Sequence, residues 1–211
     1  MTPQELLDRA RLKLDDTIEP YLWSDDELLD YLNQSLTILL SETGLYSHYN
    51  SANVPANTSV IVPDNSDALL GISEVKFDNN PLVNVDLPEF FLMPSGKGTP
   101  RFYSFDYLTK TIHLHPTPST DGVLSFKRKD TVFITWANLN TQLPFDQKYH
   151  LYLVDGMCAF AYLKADSEVY NPQQSERHML IFRGSIEMIK KHTLLASQSF
   201  NMVATVPRGL L

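Results

Sequence analysis

Along the first forty residues, apolar positions recur at helical spacing. Leu6, Leu7, Ala10 and Leu14 form one short stripe, and Leu28, Leu29, Leu32, Leu36, Leu39 and Leu40 form a longer one, as expected of two helices that each bury a single face. Polar residues punctuate the stripes. Thr2-Pro3-Gln4-Glu5 sets a hydroxyl at the N-cap, proline at the first helical position and a glutamate that closes a capping box. Ser24 and Glu27 repeat the box, Asp25 and Asp26 complement the positive helix end, and Trp23 is placed to staple onto Leu28. With Gly44 as a left-handed stop, the spacing predicts a helix from Pro3 to the Asp15-Asp16 pair and another over 25–43.

From about Ser47 the period changes. Short β-branched and aromatic runs alternate with Asn, Pro, Ser and Thr, which predicts strands over Ser59–Val62, Leu70–Phe77, Leu82–Val85, Arg101–Phe105, Thr111–His115, Val123–Lys127 and Val132–Trp136. Asp78-Asn79-Asn80-Pro81, Tyr107-Leu108-Thr109-Lys110 and Asp121-Gly122 read as hairpin connections, so the region is expected to be an antiparallel unit whose many prolines keep its edges short.

After Leu143-Pro144 the helical period returns. Tyr149, Tyr152, Leu153, Gly156, Met157, Phe160 and Leu163 share one broad face, with Gly156, Ala159 and Ala161 small enough to admit a neighbouring helix. Asn171-Pro172-Gln173-Gln174 opens a last helix through Met179, Phe182, Ile186 and Ile189 to Lys190-Lys191-His192. The expected class is therefore α+β: an antiparallel bundle of two N-terminal and two C-terminal helices, with an inserted antiparallel β domain projecting from it. The boundaries fall at 1–50, 51–142 and 143–198, followed by an extended C-terminal arm over 199–211. In that arm Phe200, Met202, Val203, Val206, Leu210 and Leu211 are apolar without a helical period, and such a segment is expected to gain order by burial on a neighbouring subunit or partner protein.

Composition narrows the classes. Hydrophobic residues make up 43% and charged residues 20% of 211, which excludes disordered, collagenous and coiled-coil chains. A single cysteine, Cys158, excludes an internal disulfide, and the lack of an N-terminal apolar run or of about 20 uninterrupted apolar residues predicts a soluble intracellular product with no membrane partner. The net charge of -8 argues against general nucleic-acid binding. It is also uneven, since residues 1–50 hold 10 acidic against 3 basic side chains.

No pattern makes a convincing enzyme or cofactor site. His113-x-His115 would share one strand face and so suit a metal, giving a metal-dependent enzyme as a rival reading, but no third ligand follows at a suitable spacing. Ser95-Gly96-Lys97-Gly98 lacks the glycine frame and following helix of a phosphate loop. Cys158 sits among apolar neighbours and reads as a core residue, and Asp25-Asp26-Glu27 are consecutive on a helix and read as caps. Lys127-Arg128-Lys129, the basic run, reads as a solvated strand end or as a contact to nucleic acid such as DNA or to an acidic neighbour.

The capped helix with Trp23-Ser24-Asp25-Asp26-Glu27-Leu28-Leu29-Asp30-Tyr31-Leu32-Asn33-Gln34-Ser35-Leu36 resembles the start of the head-to-tail adaptor (connector) proteins of tailed bacteriophages. Tyr103-Ser104-Phe105-Asp106 through Thr111-Ile112-His113-Leu114-His115-Pro116-Thr117-Pro118 to Asp121-Gly122 is similar to the hairpin, Pro-x-Pro and glycine turn of the larger adaptors' β insertion. Leu143-Pro144-Phe145-Asp146, Tyr149–Gly156, Ala159–Asp166 and the helix with Arg177 and Phe182 resemble the family's C-terminal helical pair. The resemblance implies a virion neck component, in the host cytoplasm before assembly: a ring, expected as a dodecamer, beneath the portal protein, with a tail, nozzle or stopper protein below and genomic DNA passing through its channel without sequence-specific binding. Its C-terminal arm would reach the portal. Asp15, Asp16, Asp25, Asp26 and Glu27 would lie on a shared surface that repels DNA phosphates. A tail-completion (stopper) protein is the second virion reading.

Overall fold

The computed structural model describes residues 1–166 and 168–203. It divides into two compact units, one built from 1–43 and 132–211 and the other from 44–131.

The first unit is helical. α1 (Pro3–Leu14) starts on the Thr2/Glu5 capping box, with Thr2 N–H donating to Glu5 Oε2 at 3.0 Å and Glu5 N–H to Thr2 Oγ1 at 3.3 Å. α2 (Asp25–Thr43) starts on the Ser24/Glu27 box and stops at Gly44, whose φ of +63° is the left-handed conformation that glycine adopts without a Cβ clash. Leu28, Leu32, Leu36, Leu39 and Leu40 of α2 are fully buried.

Two further helices complete this unit, α4 (Tyr152–Ala161) and α5 (Pro172–Val203). α4 packs against α1, α2 and α5, so its residues from Leu153 to Ala159 are buried without a break. The closest approach is at Gly156. A Cβ there would lie 2.6 Å from Ser35 Oγ, 2.9 Å from Ser35 Cβ and 3.2 Å from the Phe182 ring, so α2 and α5 reach α4 only because this position has no side chain.

The second unit is β-rich. One four-stranded sheet has the order β1 (Ser47–Val54), β10 (Gly122–Asp130), β3 (Leu69–Phe77), β4 (Asn80–Pro81). A second has β2 (Val60–Ile61), β8 (Thr111–His115), β7 (Phe102–Asp106), β5 (Val83–Asn84), and β6 (Lys97–Gly98) pairs with β9 (Thr117–Pro118). Their shared core takes Val75, Phe77, Leu124 and Phe126 from one sheet and Tyr103, Phe105, Ile112 and Leu114 from the other. Asp78 and Asn79, both at positive φ, make the expected turn between β3 and β4, and the loop after Asp106 joins β7 to β8.

The α+β class and most strands match the sequence reading, and six differences stand out. Val132–Trp136 is no strand, because the Asn33 side chain takes both backbone groups of Ile134: its amide donates to the carbonyl at 2.9 Å and its oxygen accepts the N–H at 2.7 Å. Pairing is not wholly antiparallel, since β5 with β7 and β6 with β9 run parallel. β1 appears where no strand was expected: it is an edge strand that buries only Val54 and so carries no alternation. The short α3 (Leu87–Leu92), also not expected, holds Pro88 in its first turn, where the missing N–H costs nothing. Asp121-Gly122 joins β9 to a different sheet rather than closing a hairpin. Residues 199–203, expected as extended arm, continue α5, because no glycine or proline interrupts the chain from Ser185 to Val203; the rest of the expected arm, 204–211, lies outside the described residues.

Gly156→Ala is expected to cost roughly 1–3 kcal/mol in urea denaturation, because the added methyl overpacks the α2–α4–α5 contact. Gly184→Ala on α5, where a Cβ meets nothing within 4 Å, is expected to stabilise by about 0.5–1 kcal/mol.

Candidate functional site

The acidic residues singled out from the sequence converge where α1 ends and α2 begins, around the Arg11 guanidinium. Its Nη1 pairs with Asp16 Oδ2 at 2.8 Å and donates to the Trp23 carbonyl at 3.1 Å, its Nη2 bonds Asp25, and the group lies 3.9 Å over the Tyr21 ring. Asp16 also accepts the backbone N–H groups of Leu22 and Trp23, at 2.9 and 3.3 Å. The Trp23 indole donates to the Ala161 carbonyl of α4 at 2.9 Å, which fixes this junction to the helical core.

The five acids therefore differ in what they present. Asp16 is 3% exposed and fully engaged, so it is withdrawn from the surface on which the sequence reading placed it. Its position after the left-handed Asp15 turns it inward onto Arg11. Asp25 is exposed but shares the same guanidinium. Asp26 accepts the Trp136 indole N–H at 3.0 Å, and Asp15 is exposed; among the described residues no cation pairs with either. Glu27 sits 3.0 Å from Lys164. Burial alone would raise the Glu27 carboxyl, but hydrogen bonds from the Ser24 backbone and Lys164 outweigh it and hold the group below the ordinary carboxylate range.

The basic run is split by the pleat of β10. Leu124, Phe126, Arg128 and Asp130 alternate inward. Arg128, 3% exposed, is thus a core cation bonded to Asp130 Oδ1 at 2.9 Å and to the carbonyls of Asp64 and Asn65, not a contact for DNA or a tail protein. Lys127 points outward, 3.3 Å from Glu74, and Lys129 flanks Gly44. The signal was present in the sequence, because Arg128 is two residues from Phe126 and four from Leu124.

The remaining candidates are also accounted for by packing. His113 bonds Thr111 and packs edge-on to Phe91, and His115 lies edge-on to Phe90. Among the described residues no group of three or more His, Cys, Asp or Glu is arranged to hold a metal. Lys97 bonds the Asn57 side chain within a strand rather than opening a helix. Burial pushes the Cys158 thiol up to about 12, so it stays protonated. Sequence reasoning missed one polar cluster, in which buried Asp155 of α4 bonds Lys13 of α1 at 2.6 Å and buried His178 of α5 at 2.8 Å. It ties three helices, and its members are too far apart in sequence to form a motif. Phe200, Met202 and Val203 fall on the backbone of α5's last turn, and Val206, Leu210 and Leu211 lie outside the described residues. No helix among the described residues is long and apolar enough to cross a membrane.

A family model described as SU10 adaptor protein matches residues 1–205, and the chain belongs to that family of bacteriophage adaptors. No curated protein matches the sequence.

Asp16→Ala removes one of the two carboxylates on Arg11 and leaves the Leu22 and Trp23 N–H groups without their acceptor, and is expected to cost about 1–3 kcal/mol, whereas Asp26→Asn should stay within about 0.5 kcal/mol in the same denaturation assay. Glu27→Gln is expected to lower stability at neutral pH. Because the folded carboxyl lies below the ordinary carboxylate range, that contribution is complete above the unfolded value and fades as acid protonates the folded group. Wild type and variant should therefore converge as the pH falls below about 4.

Proposed function

We propose that this member of the SU10 adaptor family is a head-to-tail adaptor of a tailed phage that forms a neck ring, of twelve copies, beneath the portal. The observation that carries this reading is the match of the family model across both the helical unit and the β unit. In this reading the four long helices form a bundle that packs side by side in the ring. The β unit meets the wall or the tail, nozzle or stopper protein below, and the chain after Ser199 reaches the portal.

The work is binding rather than catalysis. A ring needs a heterologous contact repeated around one axis, so two different faces of a subunit must fit each other. DNA leaving the head then passes a wall that should not hold it. Asp15 and Asp26 carry charge that no cation among the described residues offsets, and negative groups within about 8 Å of the phosphates repel them at physiological salt. In this reading the chain after Ser199 needs the portal as its docking surface, which makes assembly sequential and portal-dependent.

Purified protein is expected to sediment as a monomer and to form rings when mixed with portal, as seen by electron microscopy. Deleting 199–211 should abolish attachment to the portal. Attachment unchanged by the deletion would refute the role given to this segment, and failure of the intact chain to bind portal at all would refute the adaptor reading.

A further inference from the structure

We propose that two grooves on the helical unit are the two halves of one contact between successive copies of this chain. The proposal rests on the ring reading and adds which surfaces meet. The first groove, of about 530 Å³, lies between α1, the start of α4 and α5, where Leu12, Leu151 and Ile181 give it an apolar lining and Arg9 stands at its edge. The second, of about 460 Å³, runs beside α2, lined by Ile38, Phe133 and Phe160 with Asp30 at its edge. Each leaves a large apolar side chain in water, Leu12 at 69% and Phe133 at 68% exposure, at the centre of a patch rather than singly.

Their placement selects the kind of contact. Leu151 and Phe160 are nine residues apart on continuous right-handed helical backbone. At about 100° per residue they point in opposite directions from α4, and the two grooves open on opposite sides of that helix. Two unlike patches facing away from each other cannot form an isologous pair, but they generate a head-to-tail series that closes into a ring.

Charge identifies the occupant as a second copy. In the first groove Lys13 is already neutralised by Asp155 at 2.6 Å, which leaves the Arg9 guanidinium without an acidic partner among the described residues. In the second groove Asp30 has no basic partner among them. Asp30, Gln34 and Ile38 follow one another at intervals of four along α2 and so share one face. Seating Phe133 and Asp30 of one copy against Leu12, Ile181 and Arg9 of the next covers both apolar patches and pairs both charges at once. That combination of apolar centre and charged edge is the usual anatomy of a specific interface.

The test uses the full-length chain mixed with portal. Arg9→Asp and Asp30→Arg, both at exposed positions, are each expected to lower ring formation at least about tenfold by placing like charges together, and the two changes in one chain should restore it. A chain carrying both Phe133→Cys and Ile181→Cys should give a ladder of disulfide-linked oligomers on oxidation, with buried Cys158 remaining unreacted. Rings that form normally in each single variant, a double variant that stays defective, or cysteines that cross-link to portal instead would each overturn the pairing while leaving the adaptor reading intact. Wild-type chain that makes no ring on portal would overturn both.

Discussion

α4 is a ten-residue helix with almost no surface of its own, and the helical unit depends on three other helices reaching it at once. Two adjacent residues make that possible by opposite means. Gly156 removes a side chain so that Ser35 and Phe182 can come within contact distance. Asp155 supplies a carboxylate that holds Lys13 from α1 and His178 from α5. Successive helix positions point about 100° apart, so one turn of α4 serves close packing on one side and a charged tie on another. A buried carboxylate is strongly unfavourable to leave unpaired, so packings that part α4 from α1 or α5 are disfavoured.

The acidic first fifty residues show how formal charge and presented charge diverge. Ten carboxylates against three bases suggest a broadly repulsive surface, yet Arg11 absorbs Asp16 and Asp25, and Lys164 absorbs Glu27. What remains toward solvent is a smaller number of groups at defined positions. The outward groups set what this surface presents, while the inward ones organise the turn between α1 and α2. The same division appears in β10, where a run of three bases becomes one core cation and two surface lysines.

Much of this was legible wherever a residue's role is decided by its near neighbours. Capping boxes at Thr2 and Ser24, the stop at Gly44 and the turn at Asp78-Asn79 follow from local chemistry and recur in the structure. The resemblance to phage adaptors, carried by the segment from Trp23 onward, agrees with the family match. What escaped reading was set by partners distant in sequence. Asn33 displaces a strand a hundred residues away, β1 exists because β10 pairs with it, and Asp155 gathers its partners, Lys13 and His178, from opposite ends of the chain. Asp16 and Arg128 read as surface charges because sequence shows their charge but not their direction.

The clamp of Asn33 on Ile134 has a chemical corollary. A carboxamide can mimic a peptide group because it offers one donor and one acceptor in a plane, and both are used here. Hydrolysis of that amide during storage of an assembled particle would leave a carboxylate facing the Ile134 carbonyl, so that a bond becomes a repulsion between two oxygens. A carboxylate at position 33 could supply only the acceptor half of this pairing.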